Sequence, residues 1–136
     1  MEHGTAIFEL PMKVRDYEVD SEGIVNNACY LNYMEHTRHE FCNEAGLSFR
    51  AMRERRMSPV ARRISIDYRT SLGLGDEFVS RLALRREGAR FIFDQWIVNS
   101  RGAIVAEAEV TIVNVIDGRP TRGDELADAF ARYLIR

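Results

Sequence analysis

Cysteine, histidine and proline are all scarce in this chain: its 136 residues include two cysteines, three histidines and three prolines. Cys29 and Cys42 both fall in one helical stretch, so neither a disulfide nor zinc-ligand spacing can be read from them, and they are taken as reduced thiols. Lys13 is the only lysine, and a net charge of −2 gives no global reason to expect nucleic acid. No apolar run approaches the roughly 20 residues needed to span a bilayer, and Met-Glu-His-Gly-Thr at the N-terminus lacks the basic and apolar regions of a signal peptide. A cytoplasmic location is the expectation, with no membrane and no nucleic-acid partner.

What is present is ordinary for a soluble globular protein: 46% hydrophobic and 29% charged residues, enough chain for one domain spanning residues 1–136. Ala6, Phe8, Leu10, Met12 and Val14 alternate as a half-buried strand, and Pro11 marks an edge or a bulge. From Asn26 to Ala45 the apolar spacing becomes helical, with Gly46 placed to stop it. A short helix or ordered loop over 49–57 is followed by strands beyond Pro59, at Phe78 to Arg86, at Arg90 to Asn99 and at Ile104 to Ile116. In the last, Ile104, Ala106, Ala108, Val110 and Ile112 should share one face, opposite Glu107 and Glu109. A terminal helix from Asp124 through Leu126, Phe130 and Leu134 completes an α+β layout in which one sheet face is left partly uncovered, so self-association is expected.

Around the long helix, Tyr30, Leu31, Met34, Thr37, Phe41, Cys42 and Ala45 form a broad apolar face, while His36 and His39 point toward solvent. With His3 in an expected flexible tail, serine–histidine and cysteine–histidine chemistry is disfavoured. Arg38 falls inside the apolar stripe and needs a partner or a route to water; a carboxylate is the expected partner. The arginines at 50, 53, 55, 56, 62 and 63 suit either a solvated surface or the phosphates of a nucleotide-containing substrate or an acidic carrier protein.

Asp16, Glu18, Asp20 and Glu22 are spaced to share one strand face. They do not make a calcium loop, because Ser21 and Asn27 stand where an EF-hand starting at Asp16 needs its glycine and its last acidic ligand. No metal is expected. Asp20, next to the Gly23 turn and the start of the helix, receives the chemical role. A helix start carries free N–H groups and the positive end of the dipole, which stabilise the charge that builds on an attacked carbonyl oxygen. Asn26 or Asn27 is the N-cap, and capping alone would account for both. If Asn26 caps, the Asn27 N–H is left pointing outward.

Asp20-x-x-Gly23-Ile-Val-Asn-Asn27-Ala-x-Tyr30-Leu-x-Tyr33-x-Glu35-x-x-Arg38 resembles the hotdog-fold acyl-thioesterases of the 4-hydroxybenzoyl-CoA thioesterase type. The resemblance covers nearly the whole chain. It implies a long central helix wrapped by a largely antiparallel five-stranded sheet, and hydrolysis of acyl-CoA or acyl-carrier-protein thioesters without cofactor or metal. It further implies a homodimer or homotetramer with sites between subunits, Asp20 of one facing the helix start of the other. Asp20 matches the catalytic nucleophile or general base, and Asn27 the position whose backbone N–H polarises the thioester carbonyl. Gly23, Asn26 and Tyr30 are expected to line the substrate. A hotdog dehydratase would need a histidine paired with the acid, and a non-catalytic acyl-binding module would leave Asp20 replaceable.

Overall fold

The computed structural model describes residues 3–135; Met1, Glu2 and Arg136 lie outside the described residues. The chain forms β1 (Phe8–Lys13), a 3-10 turn at Asp16–Glu18, α1 (Asn27–Glu44), α2 (Phe49–Glu54), β2 (Met57–Tyr68), β3 (Glu77–Glu87), β4 (Arg90–Asn99), β5 (Ile104–Ile116), the two-residue β6 (Arg119–Pro120) and α3 (Asp124–Ala129). The strands join in the order β1-β3-β4-β5-β2, all antiparallel, with β6 added to the end of β5. One long helix laid against a curled antiparallel sheet is the hotdog arrangement that the resemblance implied. The prolines fit this order. Pro11 lies in β1 and Pro59 in β2, the strands at the two ends of the main path, where a missing N–H costs least.

Helix α1 starts and stops where its sequence provides for it. The Asn26 side chain accepts from Ala28 N–H at 2.9 Å, which makes Asn27 the first helical residue. At the other end Gly46 adopts φ 84°, and Leu47 N–H returns to the Cys42 carbonyl at 2.7 Å in a left-handed cap. Phe41 is fully buried, its ring 5.3 Å from that of Phe130 and 5.9 Å from that of Phe93. Burying such a side chain contributes on the order of 2–3 kcal/mol.

Polar groups also tie the helix to the sheet. Thr37 Oγ1 donates to the Tyr33 carbonyl and sits 2.7 Å from Ser80 Oγ on β3. From β4, Gln95 Nε2 donates to the Met34 carbonyl at 3.0 Å, while its Oε1 accepts from Arg38 Nη1 at 2.8 Å. Arg38 is buried as its position in the stripe requires, but its partner is a neutral amide and not the expected carboxylate. Burial pulls its pKa down from the usual guanidinium value, and Glu35 works in the opposite direction. An amide oxygen meets the guanidinium without bringing a second charge out of water.

Several local expectations change. The acids at 16–22 do not share a strand face, because Glu18 turns back to accept from Arg15 N–H at 2.8 Å and winds the chain into the 3-10 turn. Ile104 leaves the inward face of β5. A register shift opposite Ile97 and Val98 makes Val105 an extra residue, so Val105 and Ala106 both pack inward and Ile104 joins Trp96 and Val98 on the outer face. His3 is no loose tail residue. Its ring stacks on Trp96 at 4.4 Å, with Nδ1 3.0 Å from Asp94 and Nε2 2.7 Å from Glu107. Glu107 lies opposite the apolar face as expected yet is buried; burial alone would raise its pKa, but hydrogen bonds from His3 and Arg69 prevail and hold it below the ordinary carboxylate range. The terminal helix stops at Ala129, and the chain reaches Leu134 through turns that set it beside Leu84 of β3.

The bridge between α1 and β4 carries a stability prediction. Gln95→Leu leaves the buried Arg38 guanidinium without its amide partner and removes the sheet's hydrogen bond to the Met34 carbonyl, and should cost about 2–4 kcal/mol. Urea unfolding measures this, and adding Arg38→Met should restore part of the loss. Additive losses would mean that the two side chains act independently.

Candidate active site

The segment between β1 and α1 folds back on itself. Val19 and Val25 bridge as antiparallel partners, Asp20 N–H donates to the Ile24 carbonyl at 2.9 Å, and Gly23 N–H donates to the Asp20 carbonyl at 3.0 Å. Gly23 has φ 77°, the left-handed conformation that closes so tight a turn without strain. One step further along this ladder, Asn26 N–H donates to the Glu18 carbonyl at 3.2 Å. Glu18 therefore stands opposite Asn26 at the helix start, and Asp20 lies two residues farther along, opposite Ile24 at the tip of the hairpin.

The Asp20 carboxylate is exposed and fixed from one side. Oδ1 accepts from Glu22 N–H at 2.8 Å and from Ile24 N–H at 3.3 Å, and among the described residues Oδ2 has no partner. The turn-forming role open to an aspartate before glycine is thus real, and it leaves one oxygen available. At the helix start the N-cap side chain occupies Ala28 N–H, while the Asn27 N–H has no acceptor among the described residues. An acceptor oxygen placed there would meet both a free donor and the helix dipole.

Residues that the sequence reading passed over hold this arrangement. Glu18 is buried, and its Oε1 accepts both the Tyr33 hydroxyl and the Arg15 N–H, each at 2.8 Å. Burial, and then Glu18, push the Tyr33 phenol far above its usual range, so it stays a donor. Tyr68 at the end of β2 reaches over the helix start, its hydroxyl donating to the Asn27 carbonyl at 3.3 Å. Tyr30 is buried rather than open to solvent; its hydroxyl accepts from Leu72 N–H at 3.0 Å and its ring lies 5.6 Å from that of Tyr68. Leu74 N–H in turn donates to the Gly23 carbonyl at 3.1 Å, so the loop before β3 braces the turn. An aromatic side chain with a polar tip at the end of the β2 alternation was the one visible sign of Tyr68. Glu18 had no local sign distinguishing it from the neighbouring acids.

The histidines stay away from this junction. His36 is exposed as expected, but His39 is half-buried because α2 folds back against α1 and sets Phe49 edge-on to it at 4.7 Å. Burial lowers its pKa. Among the described residues no group of three or more histidine, cysteine or acidic side chains could hold a metal ion, and no helix is long and apolar enough to cross a membrane.

Residues 14–134 match the Thioesterase-like superfamily. Acyl-acyl carrier protein thioesterase ATL3 of Arabidopsis thaliana is 36% identical over 90 residues, which cover 65% of this chain and 47% of that protein. This chain spans about half the length of the plant relatives it matches. Acyl-CoA thioester hydrolase YbgC of Escherichia coli is 30% identical over 113 residues, covering 82% of this chain and 84% of that protein. Among solved structures, YbaW, a probable thioesterase from Escherichia coli, superimposes with a TM-score of 0.79 at 27% identity, over 94% of this chain and 99% of that one.

The buried Glu18–Tyr33 pair should govern how firmly the Asp20 turn is held. Glu18→Ala and Tyr33→Phe, combined in a double-mutant cycle, should show a coupling of about 1.5–3 kcal/mol, the range for a hydrogen bond to a charged group. Amide exchange at Asp20 and Gly23 should quicken in Glu18→Ala; unchanged protection there would show that the turn is held by the Leu72–Asp76 loop instead.

Proposed function

The chain belongs to the thioesterase-like superfamily, and from that premise we propose that it hydrolyses acyl thioesters of coenzyme A or an acyl carrier protein. The observation that carries the reading is the pairing, within one short hairpin, of a half-engaged carboxylate and an open helix start. As general base, Asp20 Oδ2 takes a proton from water while the water oxygen bonds to the thioester carbon. The carbonyl oxygen, gaining negative charge, is met by the Asn27 N–H; the carbon–sulfur bond then breaks and the thiolate leaves, to be protonated by solvent. As nucleophile, an Asp20 oxygen would itself bond to that carbon and expel the thiolate as the carbon–sulfur bond breaks, and water would then hydrolyse the resulting anhydride and regenerate the carboxylate. Gly23 and Asn26 shape the approach to the carbonyl, and Tyr30 supports it by holding the Leu72 loop. The likeness to the 4-hydroxybenzoyl-CoA type supports the same acid and helix start.

We also infer one domain over residues 1–136, cytoplasmic, working as a homodimer or homotetramer. Val60, Ile64 and Tyr68 along the edge strand β2 are exposed apolar side chains that a second copy would cover. The Val19–Val25 ladder ties the Asp20 turn to its own helix, while the resemblance supports the shared arrangement, Asp20 of one subunit facing the Asn27 helix start of the other.

Asp20→Asn should keep the fold and lower thiol release from a panel of acyl-CoA and acyl-carrier-protein substrates by about 100-fold or more, the usual worth of a general base. Near-normal turnover by the folded variant would exclude this chemistry.

Mixed oligomers decide where the two groups come from. Asn27→Pro deletes the N–H at a position where proline suits a helix. Oligomers combining Asp20→Asn and Asn27→Pro subunits should stay inactive if each site is built from one chain, because every site then keeps one defect. Recovered activity would return the site to the boundary between subunits.

A further inference from the structure

The segment ahead of β1 seats His3 on the outer face of the sheet, away from α1. The imidazole lies flat on Trp96, with the ring planes 8° apart and the centroids 4.4 Å apart. Its side chain is only 5% exposed. Nδ1 faces Asp94 of β4 at 3.0 Å, and Nε2 faces Glu107 of β5 at 2.7 Å. One ring donates to two carboxylates only when both nitrogens carry a proton, so the form that matches this seat is the doubly protonated ring.

A chain of hydrogen bonds leads from this ring to the candidate site. Glu107 is 4% exposed and its two oxygens are divided: Oε2 meets His3, while Oε1 accepts from Arg69 Nη2 at 2.9 Å and Nε at 3.2 Å. Arg69 begins the loop between β2 and β3. The backbone N–H groups of Arg69 and Thr70 both donate to the Val105 carbonyl, at 2.8 and 3.1 Å, so side chain and backbone together fix this end of the loop to β5. Further along, Leu72–Leu74 runs antiparallel to Gly23–Val25. Val25 N–H donates to the Leu72 carbonyl at 2.9 Å, Ile24 bridges Gly73, and Leu74 N–H donates to the Gly23 carbonyl at 3.1 Å. That stretch is the returning side of the Asp20 turn. A buried carboxylate with both oxygens engaged has little freedom to rotate, and releasing Oε2 lets it swing and loosens its hold on Arg69.

We propose that His3 is a positioning residue for thioester hydrolysis: by clasping Glu107 it holds Arg69, and the loop beyond Arg69, against the turn that presents Asp20. The catalytic half of this assignment rests on the thioesterase reading; the mechanical half, from His3 to Gly23, does not. Asp94 and Trp96 seat the ring, and Glu107 passes the constraint on. His3→Phe keeps an aromatic plane for Trp96 and removes both donors. His3→Arg offers a planar cation that stacks and can donate to two carboxylates. Arg69→Met breaks the same chain beyond Glu107 and carries the test if His3→Phe does not fold.

The test takes three readouts on the full chain, well below its melting temperature. They are the emission of Trp96, the only tryptophan; amide exchange at Val25 and Leu74; and separate kcat and KM values on a panel of acyl-CoA and acyl-carrier-protein thioesters. His3→Phe should quicken exchange at both amides and lower kcat about three- to tenfold with KM within about twofold, the scale on which mutations along a packed network act. His3→Arg should restore both. Arg69→Met should reproduce the loss without changing Trp96 emission, and the double variant with His3→Phe should lose no more, since the two residues act in series. A lowered melting temperature with exchange and kcat unchanged would make His3 a structural stack and overturn the proposal, as would additive losses or quickened exchange with kcat unchanged. If wild type cleaves thioesters while His3→Phe alters neither exchange nor kcat, the clasp is refuted and the hydrolase reading stands. If wild type cleaves none while His3→Phe loosens Val25 and Leu74 and His3→Arg restores them, the clasp on the Gly23 turn stands and the hydrolase reading falls.

Discussion

The Gln95 amide, buried between α1 and β4, is the interaction on which the placement of the helix depends. It gives the buried Arg38 guanidinium its partner and adds a second hydrogen bond to the Met34 carbonyl, which also accepts within the helix. Hydrophobic packing around Phe41 supplies most of the adhesion, but packing is tolerant of sliding and rotation, whereas a buried donor and acceptor must find one register. The Thr37–Ser80 contact fixes the same helix against β3. Helix position matters because the start of α1 is the polar end of the candidate site, and any rotation would carry the Asn27 N–H away from the turn that bears Asp20.

At that start a second constraint takes over. Glu18 sits at the junction of the 3-10 turn and the helix, where it ties Tyr33 to Arg15. The charge is tolerated inside because both contacts are donors to its carboxylate. With Tyr30 holding Leu72 and Leu74 bonded to Gly23, the exposed acid rests on a set of buried hydrogen bonds rather than on a free loop. The same pinning of α1 toward β3 and β4 leaves Ile64 and Tyr68 of β2 partly exposed.

How much of this was legible depended on the range of the interaction involved. The strands after Pro59, the extent of α1, the Gly46 stop and a cap at Asn26 or Asn27 were all readable, because each is decided by residues within a few positions of one another. The Ile104 expectation failed for want of one fact, the extra residue at Val105, which exists only in relation to β4. His3 was read as loose because its partners, Trp96, Asp94 and Glu107, are far away in sequence and gather only once the sheet forms. His39 was placed in solvent because helical periodicity does not show where α2 will pack.

The amino-acid sequence by itself determined the α+β layout, the long helix with its Gly46 stop, and the Gly23 turn that follows Asp20, since local backbone preferences and short-range hydrogen bonds act over a few residues whatever surrounds them. Only the tertiary structure decided that Glu18 rather than its neighbours would be buried, that Arg38 would find an amide, and that Tyr68 would reach Asn27. Those outcomes depend on strand order and on which faces meet, and burial assigns partners to polar groups only after distant segments have come together.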